Sequence, residues 1–313
     1  MRLYFTTDIH GSDVCFRKFL NAAKFYEADV LILGGDITGK TLVPIVETAA
    51  GRWAMEGWGP RRELSADQVA DVEKQIRDSG GYPVRTTPEG VALLRENPSR
   101  REEVFRDAMV ASVSGWMSLA EERLRGTGVR CYIGPGNDDI FEIDPALSGS
   151  DYVVNPEDKV IDVGGGWEMI TSGYANPTPW NSPRELPEDA LYDRISAMAR
   201  RVRNPAKSLF GLHVPPVDTP IDEAPSLDAT LKPIVENGVI KSAHVGSSAV
   251  RRLIEEIQPA LGLHGHIHES RGTTRLGETV CLNPGSEYSE GVLRGVVIQL
   301  GAKGIDGHLF VAG

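Results

Sequence analysis

The chain opens with RLYFTT, residues 2–7, a short apolar run that reads as a strand. SDVCFRKFLNAAKFYEA follows, with Val14, Phe16, Phe19, Leu20, Ala23 and Phe25 recurring at helical spacing. The apolar run 29–33 then closes a strand–helix–strand unit, which predicts an α/β fold. Between 50 and 100 the pattern changes, and GRWAMEGWGPRRE and SGGYPVRTTPEG are rich in Gly, Arg, Trp and Pro. Only 65–78 carries a helical stripe: Ser65 and Gln68 are spaced as a capping box, Val69, Val72 and Ile76 form the apolar face, and Gly80-Gly81 is the stop. This stretch reads as an insertion or cap on the core.

A helix over 101–124 leads into a strand at 129–133, and two or three short strands are predicted over 152–173. NPTPWNSPRELPED, 176–189, is a proline-punctuated loop of the kind that edges a cleft. A helix at 189–202, a strand at 208–212, an amphipathic helix at 247–257 and alternating strands over 278–312 complete the pattern. With 313 residues and no internal repeat, a single elaborated domain is expected.

Composition adds exclusions. The contents of 41% hydrophobic and 25% charged residues are those of an ordinary globular protein. A formal net charge of -11 argues against a surface built to hold nucleic-acid backbone, which calls for clustered Lys and Arg. Cys15, Cys131 and Cys281 are widely separated without C-x-x-C spacing, so they read as buried small residues rather than a disulfide framework or a thiolate zinc site. Charged residues arrive too soon after Met1 for a signal peptide, and no apolar run is long enough to span a bilayer. A cytoplasmic enzyme with no membrane partner is the expectation.

The candidate chemistry sits where apolar runs stop. LYFTTDIHG ends on Asp8 and His10, VLILGGD on Asp36, VRCYIGPGND on Asn137 and Asp138, SLFGLHVPP on His213, and LGLHGHIHE on His264, His266 and His268. Open α/β sheets place their sites at the carboxyl ends of strands, and here five such ends each offer an oxygen or an imidazole. That O/N set without sulfur suits first-row divalent metals. It exceeds the four ligands of one tetrahedral ion, whereas an aspartate shared by two ions accounts for the surplus.

Asp8-x-His10, Gly35-Asp36, Gly136-Asn137-Asp138-Asp139, Gly211-Leu212-His213 and Gly265-His266-Ile267-His268, in this order, resemble the motifs of the calcineurin-like metallophosphoesterase superfamily. Asn283-Pro284-Gly285-Ser286 resembles the turn that follows the last motif. NPTPWNSPRE and GHIHES are closest to bacterial and archaeal phosphoesterases related to cyclic-nucleotide phosphodiesterases. The resemblance implies a four-layer fold, with two mixed sheets packed face to face and helices outside. It further implies hydrolysis of a phosphate mono- or diester by two divalent ions, Mn²⁺ first with Fe, Ni or Zn as alternatives, and a bridging hydroxide. Asp8, His10 and His268 would hold the first ion, Asp36 would bridge both, and Asn137, His213 and His266 would hold the second. The partner implied is a small-molecule phosphoester, a nucleotide among the candidates. Many members carry histidine where this chain has Asp138, which bears on the substrate more than on activity. Asp139 is expected to orient His10 or a neighbouring turn.

Two other functions compete. Gly34, Gly39, Lys40 and Thr41 match G-x-x-x-x-G-K-[ST], the phosphate cradle of a P-loop ATPase or kinase, although Pro44 disfavours the helix that should follow. A catalytically lapsed scaffold on the same fold is the other. Among the remaining candidates, His244 precedes a helix N-terminus, a weak anion site, while His264 and His308 read as structural. Trp180, Arg184 and Glu185 in the proline-rich loop, and Trp53, Trp58, Arg61 and Arg62 in the insertion, are candidate substrate contacts. Singly, each reads better as a solvated or back-packed side chain. Oligomeric state and natural substrate are left open at this level.

Overall fold

The computed structural model describes residues 1–55 and 59–313. Its centre is a pair of six-stranded mixed sheets, with strands and helices numbered along the chain. The first sheet has the order β20 (Ile305–Ala312), β19 (Arg294–Leu300), β1 (Arg2–Thr6), β2 (Val30–Gly34), β7 (Arg130–Gly134), β8 (Val153–Val154). β1, β2, β7 and β8 are parallel, and β19 is antiparallel to both its neighbours. The second runs β17 (Gly272–Leu276), β18 (Thr279–Asn283), β16 (Leu261–Leu263), β11 (Ser208–Leu212), β10 (Trp167–Ser172), β9 (Val160–Gly164), with four parallel strands between antiparallel edges.

Alternation along β1 accounts for the layering. Leu3 and Phe5 enter the space between the sheets, where they are buried with Ile32, Met169, Leu209, Leu263, Leu282 and Val296. Tyr4 points the other way, into a cluster with Leu31, Leu33, Phe16, Phe19 and Trp116. That cluster lies under α1 (Asp13–Phe25) and α4 (Pro98–Leu124), with α5 (Asp144–Leu147) joining it through Leu147. On the far side Phe210 and Leu212 pack against α6 (Glu188–Ala199) and α7 (Ser248–Ile257) through Leu191, Ile195, Leu253 and Ile254. The result is the four-layer α/β arrangement of two mixed sheets with flanking helices that the resemblance implied.

The crossover from β2 to β7 is expanded into a subdomain. β3 (Thr41–Ala49), β4 (Arg52–Met55), β5 (Arg62–Ser65) and β6 (Gly81–Thr86) form a sheet of order β5-β4-β3-β6. α2 (Val69–Asp78) packs on it, with Val69, Val72 and Ile76 against Val43, Ile45 and Leu64. The Ser65–Gln68 capping box forms, over a short 3-10 turn that leads into α2. The structured segment begins at Thr41 rather than near 50, and α3 (Pro88–Glu96) precedes α4, an element absent from the pattern reading. Because β3 and not a helix follows Lys40, no helix N-terminus is available for a P-loop cradle, and Pro44 sits in β3 opposite Val84.

A second elaboration lies between β11 and α7. β12 (Glu223–Pro225) pairs with β15 (Ser242–His244), and β13 (Val235–Glu236) pairs with β14 (Val239–Ile240). The latter two flank Asn237-Gly238, whose φ angles of 52° and 80° are those of a tight hairpin turn. Among the described residues no helix is long and apolar enough to cross a membrane.

Candidate metal centre

Five loops leave the carboxyl ends of β1, β2, β7, β11 and β16 and meet in one place. The first two are laced together by backbone: Asp8 N–H donates to the Gly35 carbonyl (2.9 Å), His10 N–H to Asp36 (2.9 Å) and Gly11 N–H to Ile37 (2.8 Å). The lacing holds Asp8, His10 and Asp36 at φ of 53°, 38° and 48°, and His266 in the last loop is at 66°. Non-glycine residues rarely occupy this left-handed region, and its concentration here marks backbone bent to aim side chains inward. Glycines permit the close approach: a Cβ on Gly136 would stand 2.2 Å from Asp36 Oδ1, and one on Gly265 2.3 Å from Asp8 Oδ2.

The side chains fall into two triads, Asp8–His10–His268 and Asp36–His213–His266, and a third grouping of His10, Asp36 and Asp138 overlaps them, with ligand-capable atoms within 4.8 Å of one another in each. His10 Nε2 faces His268 Nε2 at 3.0 Å and lies 3.7 Å from Asp36 Oδ2. His268 Nε2 is 3.4 Å from Asp8 Oδ1. His213 Nε2 is 3.4 Å from Asp36 Oδ1 and 3.8 Å from Asp8 Oδ1, so both triads meet at these two carboxylates. Asn137 Oδ1 joins the second triad at 2.7 Å from His266 Nδ1.

The surroundings set which atom of each ring faces inward. His213 Nδ1 donates to the Gly34 carbonyl (3.0 Å), which can only accept, and so the buried Nε2 is the atom turned toward the Asp36 and Asp8 carboxylates. Asn137 Nδ2 donates to Asp138 Oδ1 (3.2 Å), so the amide oxygen is the atom turned to the cluster. Asp139, fully buried, accepts from the backbone N–H groups of Gly136 (2.8 Å), Ile37 (3.0 Å) and Thr38 (2.8 Å). It therefore ties the Asp36 loop to the Asn137 loop and orients a turn rather than His10. From the last loop, Asn283 Nδ2 reaches the Ile267 carbonyl (2.9 Å) and Ser286 Oγ the Asp8 carbonyl (2.6 Å).

Electrostatics suit bound cations. Burial holds His10 and His266 neutral, each pulled down to about 4. Burial also works against charge on His213, yet Asp36 and Asp8 overcome it and push the ring up to about 10. Burial opposes ionisation of Asp8 and Asp36 too, and His213 reverses this so that both stay below the usual carboxylate range. The cluster thus holds two ionised carboxylates in want of positive charge, with a proton on His213 as the stand-in. Asp139 moves the other way, to about 6, through burial and the nearby Asp36 charge.

All seven side chains, Asp8, His10, Asp36, Asn137, His213, His266 and His268, are brought together. His264 is not: β16 ends at Leu263, and the imidazole turns back to the Leu212 carbonyl (2.7 Å). The shared parity of the three histidines is lost because the chain is no longer extended there. Arg184 is buried behind the Asn137 loop, donating to the carbonyls of Asp139 (2.9 Å) and Ile140 (3.2 Å) and pairing with Asp144 (2.6 Å). Glu185 closes its own loop by accepting from Thr178 N–H and Ser182 N–H, both at 2.9 Å. Neither side chain lines the cleft over the cluster. His244 pairs with Asp222 (2.8 Å), and the α7 N-terminus takes Glu188 as its anion, at 2.8 Å from Ala249 N–H. Trp53 packs on the inserted sheet beside Arg85, Arg61 and Arg62 lie on that sheet's far edge, and His308 meets Phe310 in β20. Trp58 lies outside the described residues.

A cleft of about 880 Å³ opens over the cluster, lined by Asp36, Asn137, His266 and His268 at its base. Its walls are the 176–180 loop and the 224–245 segment, and no described residue between 50 and 100 lines it. Three further residues surround the cluster in roles the sequence does not indicate. Lys40 lies in the wall and reaches Asp138 Oδ2 (2.5 Å), Ser182 Oγ donates to Asp138 Oδ1 (2.6 Å), and the Tyr288 ring covers His10 at 4.8 Å between centroids.

No family model matches the chain. Over 152 residues, 48% of this chain, it is 29% identical to an uncharacterized protein of Methanocaldococcus jannaschii, and the match spans 61% of that relative, less than two thirds of its length. Among solved structures, TT1561 of Thermus thermophilus aligns with 100% of this chain and 97% of its own at 14% identity and a TM-score of 0.56, which shows a common fold. YfcE, a phosphoesterase from E. coli, aligns with 99% of this chain and 98% of its own at 12% identity, with a TM-score of 0.32 that is too low to argue from.

Proposed function

We propose that this chain is a metal-dependent phosphoesterase that hydrolyses a phosphate mono- or diester at a dinuclear centre. The observation that carries the reading is the meeting of two ligand triads at Asp8 and Asp36, with His213 Nε2 buried and facing both carboxylates. The donor set fits first-row divalent ions, Mn²⁺ foremost and Fe, Ni or Zn next. Asp8, His10 and His268 would hold one ion, Asn137, His213 and His266 the other, and Asp36 both. When bound, such ions polarise a phosphoryl group and lower the pKa of a water.

The chain's own residues supply the rest. Lys40 stands in the cleft wall, held by Asp138, and burial, which would weaken its charge, is outweighed by that carboxylate. A phosphoester on the cluster would meet this ammonium on one side, an electrostatic contact of the kind that strengthens as charge develops on phosphorus oxygens. Asp138 cannot itself contact an anion favourably, and here it positions Lys40 instead, with Ser182 and Asn137 fixing its other oxygen. The neutral His10 and His266 need lose no proton to bind a cation.

The test is hydrolysis of bis(p-nitrophenyl) phosphate and p-nitrophenyl phosphate with added Mn²⁺, alongside metal analysis of the purified chain. Metal-dependent turnover abolished in Asp36→Asn is expected. Two bound ions without turnover on any phosphoester would instead favour the scaffold reading.

A further inference from the structure

We infer that the organic group of the substrate is apolar, and that it lodges between the 176–180 loop and the 224–245 segment. This deepens the phosphoesterase reading and rests on it for where the phosphate sits. The wall of the cleft away from the cluster presents Trp180, Pro225, Leu227, Leu231, Pro233 and Val245. Trp180 and Leu231 are 63% and 46% exposed, large apolar surfaces left uncovered on a cleft whose base carries the chemistry. Uncovered apolar area contiguous with a ligand cluster marks where a ligand's apolar part is received.

Charge points the same way. Among the described residues lining the cleft, Lys40 is the sole Lys or Arg, and Asp138 already pairs with it, while Glu269 adds a negative charge. A nucleoside di- or triphosphate brings further phosphates that this wall has no cation to meet. A single phosphate carrying an alkyl or aryl arm places its charge on the cluster and its arm on Trp180 and Leu231. Proline backbones at 177, 179, 225 and 233 have no N–H to offer, which suits an arm that makes few hydrogen bonds.

The experiment is calorimetric titration of the Mn²⁺-loaded full chain with methylphosphonate, butylphosphonate and AMP. Each buried methylene is worth roughly 4-fold in affinity, so butylphosphonate is expected to bind at least about 10-fold more tightly than methylphosphonate. The double variant Trp180→Ala, Leu231→Ser, both at exposed positions that leave the core untouched, is expected to bring that ratio below about 3-fold. Equal binding of the two phosphonates, no binding of either, an unchanged ratio in the variant, or tighter binding of AMP than of butylphosphonate would each overturn the inference. Turnover of bis(p-nitrophenyl) phosphate is followed separately: an inactive chain that keeps the ratio sinks the phosphoesterase reading alone, and an active chain with no ratio sinks this one alone.

Discussion

Lys40 Nζ lies 2.5 Å from Asp138 Oδ2, and both side chains stand in the cleft wall beside Asp36. In the resembling family a histidine commonly follows the asparagine, where a cation assists the phosphate. Here the position after Asn137 is a carboxylate and the cation arrives from the loop after β2. Lys40→Ala is therefore expected to lower kcat/KM for phosphoesters by roughly 10- to 100-fold, the effect of losing one charged contact to a phosphoryl oxygen. Asp138→Asn, which frees Lys40 without removing it, should lose about 3- to 10-fold, and Lys40→Arg should recover part of the alanine deficit. Steady-state kinetics on bis(p-nitrophenyl) phosphate measure all three, and an alanine variant equal to wild type removes Lys40 from the mechanism.

Asp36 faces both triads, so its loss should unmake metal binding as a whole. Asp36→Asn is expected to retain less than one equivalent of metal by elemental analysis, against two in wild type. A ligand at 100 times its Kd stabilises by about 2.7 kcal/mol, and a Tm rise of several degrees on adding Mn²⁺ is expected in wild type. That rise should vanish in the variant. The same rise in both proteins would place the metal elsewhere.

The proton on His213 sets the pH dependence of loading. Its ring is pushed up to about 10 by Asp36 and Asp8 against burial, and the proton sits where a cation would. Below that pH each ion entering the second triad must displace one proton, so apparent affinity should climb about tenfold per pH unit between 6 and 8. The same raised value works the other way in the metal-free chain. A histidine held protonated by folding stabilises most below its unfolded value near 6.5, and that contribution is lost as pH rises toward 10. Mn²⁺ titrations at three pH values give the slope, and a flat line would mean that His213 is unprotonated before metal arrives.

What could be read from the chain was the chemistry and the layers that carry it. Asp8, Asp36, Asn137 and His213 each follow an apolar run by a few residues, and strand-then-ligand is a local signal. Their left-handed backbone is not, since it follows from lacing between Asp8 and Gly35 and between His10 and Asp36. The Walker-like match at 34–41 concealed the start of β3, although Val43 and Ile45 already alternate toward a core. Nothing local announced the 223–244 ribbon. Its strands are two or three residues long, too short for a period, and Asp222 fixes its base through Thr219 N–H (2.9 Å), His244 (2.8 Å) and Gly246 N–H (3.0 Å). Arg184 reads singly as a solvated or back-packed side chain rather than a substrate contact, but a charged residue in a polar loop gives no hint that three partners wait for it inside.

Glu157 carries a prediction outside the site. Its side chain is 10% exposed, Oε2 accepts from Gly173 N–H (2.9 Å), and Oε1 has no hydrogen-bond partner, with Arg194 at 3.7 Å. Burial, then the charge on Asp158, pushes the carboxyl up from 4.5 to about 7. A carboxyl that binds its proton more tightly when folded favours the native state only while protonated. Stability therefore falls as pH rises from about 4.5 through about 7, by at most about 3 kcal/mol. Glu157→Gln keeps an acceptor for Gly173 and carries no charge. The variant should unfold at a Tm several degrees above wild type at pH 8, and the gap should close near pH 4.5. A gap independent of pH, or of opposite sign at pH 8, would show that Arg194 holds Glu157 ionised after all.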